Sequence, residues 1–414
     1  MYKYGSLQGL YRIETIIMFK VFRDKFLLYQ ALSRLLPQGL NLIINIILVR
    51  VSGIVLVGQM TETMALLTMS FGVILTGIQN NYLRSGNISQ LKNVLTLYIC
   101  YFLFFGVIIA PVFSYIFNID LKIIIGFLTL LFLTGLGDLY GIYLRFLLKD
   151  RFLVISKSIP LICIALGIIC YRPNNIYELV VIYVVSWIII LLFYIKNKKI
   201  ITRLNFSLNK TIDLMKRSLL LSATTLATQL YGNVDQFMIS KIAGYHASGS
   251  YRIALTFSAL AMPLVGVFSF MYLSRIGKII ANNNFQLLKR SFYDQLKLNL
   301  LIAVLLLMFS YAILPILLPF LYGEEASSAI NCAIILSFAM SINIIGMTFS
   351  YTFLALKRER YVLLATVMGV FVNLILNLSL IKRFGIEGAA WASVLTQFSI
   401  LCMLAFGLRR VDYE

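Results

Sequence analysis

The chain has 414 residues, of which 60% are hydrophobic and 13% are charged, and its formal net charge is +20. Soluble domains carry about 25% charged residues, so this chain could not cover an aqueous surface, and a soluble enzyme is excluded. His246 is the only histidine, and the five cysteines lie at irregular spacing inside apolar runs. The sequence therefore indicates no catalytic centre, metal cluster or cofactor site, and it predicts an all-α integral membrane protein.

Twelve apolar runs follow one another along the chain, and most are near the roughly 20 residues that span about 30 Å of hydrocarbon. They cover residues 35–57, 63–83, 93–119, 123–144, 152–171, 179–195, 218–240, 253–274, 298–322, 327–356, 361–381 and 388–408. Residues 1–34 precede them as a basic leader, whose charges interrupt any stretch that could serve as a cleavable signal peptide. We therefore predict about 12 transmembrane helices.

Lysine and arginine are distributed unequally between the two sides of these spans. With the N-terminus inside, 29 of the 36 fall in inside segments and 7 in outside segments. Positive residues accumulate on the cytoplasmic side, so both termini are predicted to be cytoplasmic, in a bacterial inner membrane. Placement of the charges in short loops also argues against a nucleic-acid partner.

The largest polar interruption, residues 196–217, divides the chain into an N-terminal lobe, 35–195, and a C-terminal lobe, 218–414. Residues 48–53 and 239–244 each combine an apolar helix end, a cation and a glycine, and 67–70 are similar to 255–258. Chance similarity between apolar segments is the alternative. Two matches in the same order favour two six-helix lobes related by a pseudo-two-fold repeat, an architecture typical of transporters that work by alternating access.

Two features argue against an enzyme. The chain has no GxxxxGK[ST] phosphate-binding loop, so transport would draw on an ion gradient, Na⁺ or proton, or on the gradient of the substrate. The outside loops are short and leave no room for an outside catalytic domain. Glu324 and Glu325 are the carboxylates available there, and adjacent residues splay apart.

A specific resemblance lies in the last two spans. Asn373 and Asn377 precede residues 380–393, LIKRFGIEGAAWAS, and this stretch resembles one found in polysaccharide flippases of the multidrug/oligosaccharidyl-lipid/polysaccharide exporter superfamily. Residues 233–254 are similar to the region where the same family passes from its seventh to its eighth helix. Within that family the chain looks closest to the Wzx-type flippases of O-antigen and capsular polysaccharide repeat units.

The resemblance implies a flippase that moves an undecaprenyl-diphosphate-linked oligosaccharide from the cytoplasmic to the periplasmic leaflet by ion-coupled alternating access. The implied partners are the lipid-linked oligosaccharide, membrane lipids, and an O-antigen polymerase with its chain-length regulator. Two other functions stay open. One is a multidrug exporter of the same superfamily, and the other, from a different class, is a membrane polysaccharide polymerase or glycosyltransferase.

Four basic residues in or beside the spans are candidates for substrate binding: Arg34, Arg50, Lys241 and Arg252. Charges inside the membrane cost about 2.5–3.5 kcal/mol on insertion scales, so they usually face a cavity or a partner. A guanidinium suits bidentate contact with a diphosphate, although the two arginines of span one could equally snorkel to an interface. We predict a cationic cavity, which would repel organic cations.

Asp235 lies 17 uncharged residues into span seven. Relatives that flip lipid-linked cell-wall precursors hold a coupling cation with an acid here and with polar groups of helix eleven, and Asn373 and Asn377 match those groups by position. The resemblance therefore implies a Na⁺ site formed by these three residues, with Thr396 of span twelve as a further oxygen. An acid lying near the interface is the alternative.

Overall fold

The computed structural model describes residues 25–72, 79, 82, 91–147, 149–196, 208–282 and 284–409. The predicted leader up to residue 24 and residues 197–207 of the predicted linker lie outside these ranges. Within them, the regular secondary structure is helical. This is what a hydrocarbon environment requires of a chain without a closed barrel, because each helix satisfies its own backbone hydrogen bonds.

The described residues of the N-terminal lobe form seven α-helical segments. They are α1 (Lys25–Ser52), α2 (Ile54–Leu67), α3 (Leu91–Phe104), α4 (Ala110–Phe117), α5 (Leu121–Phe146), α6 (Asp150–Tyr171) and α7 (Ile176–Lys196). A π-helical turn, Phe105–Ile109, joins α3 to α4, so that these two form one span. Asp120 starts α5 as its N-cap, because its carboxylate accepts the Lys122 backbone N–H at 2.8 Å.

The C-terminal lobe contains six helices. They are α8 (Leu208–Ser258), α9 (Met262–Ala281), α10 (Phe285–Ala312), α11 (Leu314–Tyr322), α12 (Ser327–Ala355) and α13 (Glu359–Arg409). Both α8 and α13 have 51 residues, about 75 Å at 1.5 Å per residue, which exceeds the thickness of a bilayer. Each bends at a glycine with a positive φ, Gly244 at 87° and Gly385 at 58°. Each long helix therefore supplies two spans.

The described helices account for the predicted number of spans. Seven are long and apolar enough to cross a membrane, or up to eight if the bent pair formed by the end of α8 and by α9 is one span, and two shorter apolar helices add to them. With α8 divided at Gly244 and the 50-residue stretch Glu359–Leu408 divided at Gly385, twelve crossings result. The all-helical fold with two six-helix lobes is confirmed.

A reciprocal contact between α2 and α8 confirms the repeat. Gly53 and Gly244 are 191 positions apart and have φ angles of 84° and 87°. Gly58 and Gly249 have the same separation. A Cβ on Gly58 would lie 1.9 Å from the Tyr245 carbonyl oxygen, and one on Gly249 would lie 2.2 Å from the Ile54 carbonyl oxygen. The two backbones touch at equivalent positions of the two lobes, as a two-fold axis requires.

We call the end of the bundle that holds this contact the distal end. It contains the connections at Gly53, residues 118–120 and 172–175, Gly244, Gly323 and Gly385, on the side away from the described ends of the chain, residues 25 and 409. The lobes are joined there by the packing of α2 on α8 and of α1 on α11.

Three helix bounds differ from the sequence prediction. Helix α1 begins at Lys25, ten residues before the predicted span, and α8 begins at Leu208, inside the predicted linker. Helix α2 begins at Ile54, so that residues 58–62, predicted as a loop, are helical. A charged residue, Glu62, suggested that loop, but this side chain is buried. Hydropathy identifies the part of a helix inside hydrocarbon, and it misses polar turns and buried ion pairs.

Candidate cation site and interlobe charges

The two bends of the C-terminal lobe place four polar side chains at one depth. Asp235 lies nine residues before Gly244, and Asn377 and Ser393 lie eight residues before and after Gly385. Eight or nine helical residues measure about 12–14 Å. Tyr251 lies seven residues beyond the first bend. These groups therefore meet inside the lobe, between α8 and α13, well below the distal end.

The carboxylate of Asp235 is the centre of a hydrogen-bonded cluster. Asn377 Nδ2 donates to Oδ1 at 2.5 Å, and the hydroxyls of Tyr251 and Ser393 donate to Oδ2 at 2.9 and 2.8 Å. Asn377 Nδ2 also donates to Asn373 Oδ1 at 3.0 Å. Asp235 is 6% exposed and both asparagines are fully buried. The structure thus brings together three of the four residues predicted for the coupling ion.

Two polar atoms of this cluster lack partners. Asn377 Oδ1 and Asn373 Nδ2 are buried and make no hydrogen bond with any described residue. A buried polar group left unsatisfied costs about 1–3 kcal/mol, so a ligand that used these groups would recover that free energy. Asp235 Oδ1 and Asn373 Oδ1 both accept from the Asn377 amide nitrogen, so a carboxylate oxygen and an amide oxygen converge on one point. Converging oxygens of this kind are the ligands that hard cations prefer.

The chemistry of the cluster favours an alkali cation over a transition metal. It contains one carboxylate and neutral oxygens, and the described residues include no group of three His, Cys, Asp or Glu side chains suited to a metal ion. Soft nitrogen and sulfur ligands are those that zinc and copper require. Na⁺ therefore fits the residues present: Asp235, Asn373, Asn377 and Ser393 would hold it.

Thr396 occupies a different place from the one expected. It is buried on α13, one turn beyond Ser393, and its hydroxyl donates to the Ala392 carbonyl of its own helix at 2.8 Å. In its place Ser393 and Tyr251 contact Asp235. Ser393 ends the segment that carried the sequence resemblance, and Tyr251 adjoins Arg252, but hydropathy alone gave no reason to choose either of them.

Lys241 and Glu62 form an ion pair between the lobes. Lys241 Nζ lies 2.6 Å from Glu62 Oε1, and the Tyr245 side chain lies beside the same carboxylate. The Glu62 side chain is 3% exposed, whereas that of Lys241 is 41% exposed. The sequence prediction did not identify Glu62, although an acid within a hydrophobic span is itself a signal of function. In this conformation the charge of Lys241 is matched by a carboxylate.

Arg50 also connects the lobes, through backbone groups. Its Nε donates to the Leu321 carbonyl at 2.7 Å and a terminal nitrogen donates to the Phe320 carbonyl at 2.6 Å. These carbonyls belong to the last turn of α11, where backbone oxygens lack helical partners and the helix dipole favours a cation. Arg50 therefore acts as a C-terminal cap across the interface.

Arg252 is half-buried on α8, close to Tyr183 of α7 and Tyr322 of α11. It forms no ion pair or hydrogen bond with the described residues. The structure places it between the lobes, as the prediction of a cationic cavity requires. Arg34 lies on α1, and its side chain is outside the described part of the structure. The binding roles predicted for all four basic residues stay predictions.

Comparisons with known proteins identify the fold. A protein-family model described as MatE matches residues 221–379. An uncharacterized membrane protein of Methanocaldococcus jannaschii is 24% identical over 210 residues, 51% of this chain. The match spans 49% of that relative, about half its length.

Solved structures match over almost the whole chain. The lipid II flippase MurJ in its inward closed conformation has a TM-score of 0.73 at 16% identity, covering 93% of this chain and 88% of that one. An inward-facing multidrug resistance MATE family transporter of the MOP superfamily has a TM-score of 0.70 at 15% identity, with 92% and 98% covered. A MOP superfamily transporter from Pyrococcus furiosus, described as having a binding pocket of reverse polarity, has a TM-score of 0.64 at 14% identity, with 92% and 95% covered. The apolar helices indicate a multi-pass membrane protein, and its fold is the one seen in the solved structures of the lipid II flippase MurJ and of the MATE family transporter.

Proposed function

We propose that the chain is a flippase that moves an undecaprenyl-diphosphate-linked oligosaccharide, an O-antigen or capsule repeat unit, across a bacterial inner membrane. The lobes would alternate between states open to the cytoplasm and to the periplasm, without catalysing a chemical reaction. The distal end would be periplasmic, as the distribution of lysine and arginine predicts. An O-antigen polymerase and its chain-length regulator would then take the oligosaccharide.

Arg252 is the observation that carries the choice of an anionic substrate. Its guanidinium lies between the lobes without an anionic partner among the described residues, and a diphosphate would supply one. The two parallel N–H groups of an arginine bind phosphate oxygens in a bidentate manner, and a neutral headgroup would not offer this charge-assisted contact. The fold shared with the lipid II flippase adds support, because that protein handles a lipid-linked substrate.

The cluster around Asp235 supports coupling to Na⁺. Its carboxylate is buried in the C-terminal lobe, away from Arg252, and it is held by neutral donors alone. Binding of a cation there would bias the lobe toward one arrangement of α8 and α13, since a ligand shifts an equilibrium toward the state that it binds better. No other cofactor is part of the proposal.

The test is surface display of the polysaccharide in a deletion strain that is complemented with variants at matched membrane abundance. Arg252→Ala should lose display, and Arg252→Lys should restore it in part, because lysine keeps the charge and lacks the parallel N–H groups. Arg383→Ala is the matched control, since it removes an exposed arginine from the same end. Full display by Arg252→Ala would overturn the anionic substrate.

Multidrug export is the second candidate, because a multidrug resistance transporter shares the fold. Organic cations would meet the uncompensated charge of Arg252, which disfavours them. Drug resistance conferred by the wild-type chain and enhanced by Arg252→Ala would favour this function over the flippase.

A further inference from the structure

A cavity at the distal end lies between the two bends of the C-terminal lobe. It has a volume of about 370 Å³, and it is lined by His246, Ala247, Ser250, Ser328 and residues 384–387. At about 30 Å³ per water molecule, it is large enough for roughly a dozen waters. None of the residues that line this cavity has a role in the proposed function.

The floor of the cavity adjoins the cluster around Asp235. Ser250 lines the cavity, and the next residue, Tyr251, donates its hydroxyl to Asp235 at 2.9 Å. On the opposite side, the thiol of the fully buried Cys332 points toward the Ile386 carbonyl oxygen, 3.6 Å away. Cys332 also interacts electrostatically with both Glu387 and Asp235. Tyr251 and Cys332 therefore connect the residues that line the cavity with the candidate cation site.

The wall of the cavity continues into the same site along α13. Glu387 lies six residues before Ser393, about 9 Å along the helix. On the other side, α8 carries His246 and Ser250 in the wall of the cavity and then Tyr251, which contacts Asp235. Both walls thus end on residues that contact the Asp235 carboxylate.

The lining has the chemistry that a partly hydrated cation needs. The hydroxyls of Ser250 and Ser328 lie 3.1 Å apart, and Glu387 supplies a carboxylate, which Asn331 Nδ2 holds through a hydrogen bond of 3.2 Å to Oε1. Hydroxyl, carboxylate and carbonyl oxygens are the ligands of hard cations. Because Glu387 lies at the cavity wall, its charge raises the local concentration of cations there.

Two positive charges oppose this effect. Lys382 and Arg383 are exposed just before the bend. Charges in open solvent are screened within about 8 Å at physiological ionic strength. Glu387 lies in the wall of the cavity, whereas Lys382 and Arg383 do not line it. The field inside the cavity should therefore follow Glu387.

We infer that this cavity is a cation-selective vestibule through which the coupling ion reaches Asp235 from the distal side. The inference rests on the proposed coupling at Asp235, and it assigns the cavity, Glu387 and Ser328 to the path of the ion. In this path the ion enters from the distal end, and it does not need to pass Arg252 between the lobes.

The vestibule is tested by the charge preference of a cysteine placed in it. Ser328→Cys is labelled in the purified protein with trimethylammonioethyl or sulfonatoethyl methanethiosulfonate, and mass spectrometry separates this site from the native cysteines. A thiolate reacts faster with the cationic reagent at any site, so the quantity compared is the ratio of the cationic to the anionic rate. This ratio should be about tenfold higher at Ser328→Cys than at the control cysteine, and Glu387→Gln should remove that excess. Ser327→Cys is the control, because Ser327 is an exposed neighbour that does not line the cavity. The same rate ratio at residues 327 and 328 would overturn the vestibule.

The connection to Asp235 is tested by protection. NaCl, compared with choline chloride at equal ionic strength, should slow cationic labelling of Ser328→Cys severalfold, and Asp235→Asn should abolish this effect. If Na⁺ stabilises the protein through Asp235 but leaves labelling unchanged, the ion uses another path and this inference fails alone. If Na⁺ has no Asp235-dependent effect on stability, the proposed coupling fails and the vestibule fails with it.

Discussion

At the scale of single residues, the environment of Asp235 is unusual because its carboxylate is buried and only neutral donors hold it. An ionised carboxylate removed from water is costly unless a positive charge accompanies it. The described residues provide no ion pair for Asp235, and the adjacent Asn377 oxygen lacks a donor. Na⁺ would remedy both deficits, since it supplies the missing charge and binds the free oxygen.

Asp235→Asn should therefore abolish stabilisation by Na⁺. A ligand at a hundred times its Kd stabilises the state that binds it by about 2.7 kcal/mol, and this appears as a rise in the Tm of the wild type in NaCl relative to choline chloride. Thermal unfolding of the purified protein measures the difference. Asp138→Asn is the control, because it removes an acid that forms an ion pair with Lys157 in the other lobe. A Na⁺-dependent rise that persists in Asp235→Asn would contradict the assignment.

Ser393 and Thr396 provide a comparison within one turn of α13. Ser393→Ala removes a hydroxyl that contacts Asp235 and should reduce the Na⁺-dependent rise in Tm. Thr396→Val keeps the shape of the side chain and removes a hydroxyl that bonds to its own helix, so the rise should stay unchanged. If Thr396→Val reduces the rise in Tm and Ser393→Ala does not, the ligand set predicted from sequence, with Thr396, is the correct one.

The sequence was sufficient for part of this site, for a reason that these residues make clear. Asp235, Asn373 and Asn377 lie in segments that resemble a known family, so their roles could be inferred without knowing how the helices face each other. Tyr251 and Ser393 could not be found in the same way, because a polar side chain reaches Asp235 only if the rotation of each helix is known. Glu62 was missed for the same reason, since its partner Lys241 belongs to the other lobe.

At the scale of helices, the positions of glycine determine how closely α2 and α8 approach. The reciprocal contacts of Gly58 and Gly249 leave no room for a methyl group. Small residues at a crossing allow backbones to meet in a membrane, where association depends on van der Waals packing. The paired glycines at positions 53 and 244 could be predicted from sequence as parts of a repeat, but the contact made five residues later could not, because it depends on the approach of the two lobes.

Gly58→Ala should separate the lobes at the distal end. A Cβ would lie 1.9 Å from a backbone oxygen, which cannot move as a flexible side chain could. Gly249→Ala should have the same effect, because the contact is reciprocal. Spin labels at Tyr115 on α4 and Tyr311 on α10 report the distance by electron paramagnetic resonance, because each is an exposed residue in the distal half of its span and the two lie on different lobes.

Gly266→Ala is the control for this experiment. Gly266 lies on α9, and a Cβ there would meet nothing within 4 Å. Replacing glycine by alanine in a helix normally stabilises it by about 0.5–1 kcal/mol, so this variant should keep the wild-type distance. An unchanged distance in Gly58→Ala would show that the α2–α8 contact does not hold the distal end together.

At the scale of the whole molecule, two polar contacts and one glycine crossing join the lobes where the repeat brings them together. Arg50 caps α11, Lys241 pairs with Glu62, and the crossing of α2 and α8 lies between these contacts. The proposed alternating access would require such contacts to form in one state and to break in the other. A buried acid whose partner lies on the opposite lobe is therefore suited to hold the distal end closed, because opening would leave its charge uncompensated.

The last prediction is that charge reversal distinguishes this role from simple packing. Glu62→Lys places two cations together and should lengthen the distance between the labels at positions 115 and 311, and Lys241→Glu should do the same with two acids. The double variant restores an ion pair with the charges exchanged, so it should recover a short distance. The free energy of interaction between the two substitutions should be about 0.5–3 kcal/mol, since substitutions at contacting residues deviate from additivity by that amount. If the two single effects add in the double variant, the ion pair contributes nothing to closure, and the glycine contact alone would have to hold the lobes together.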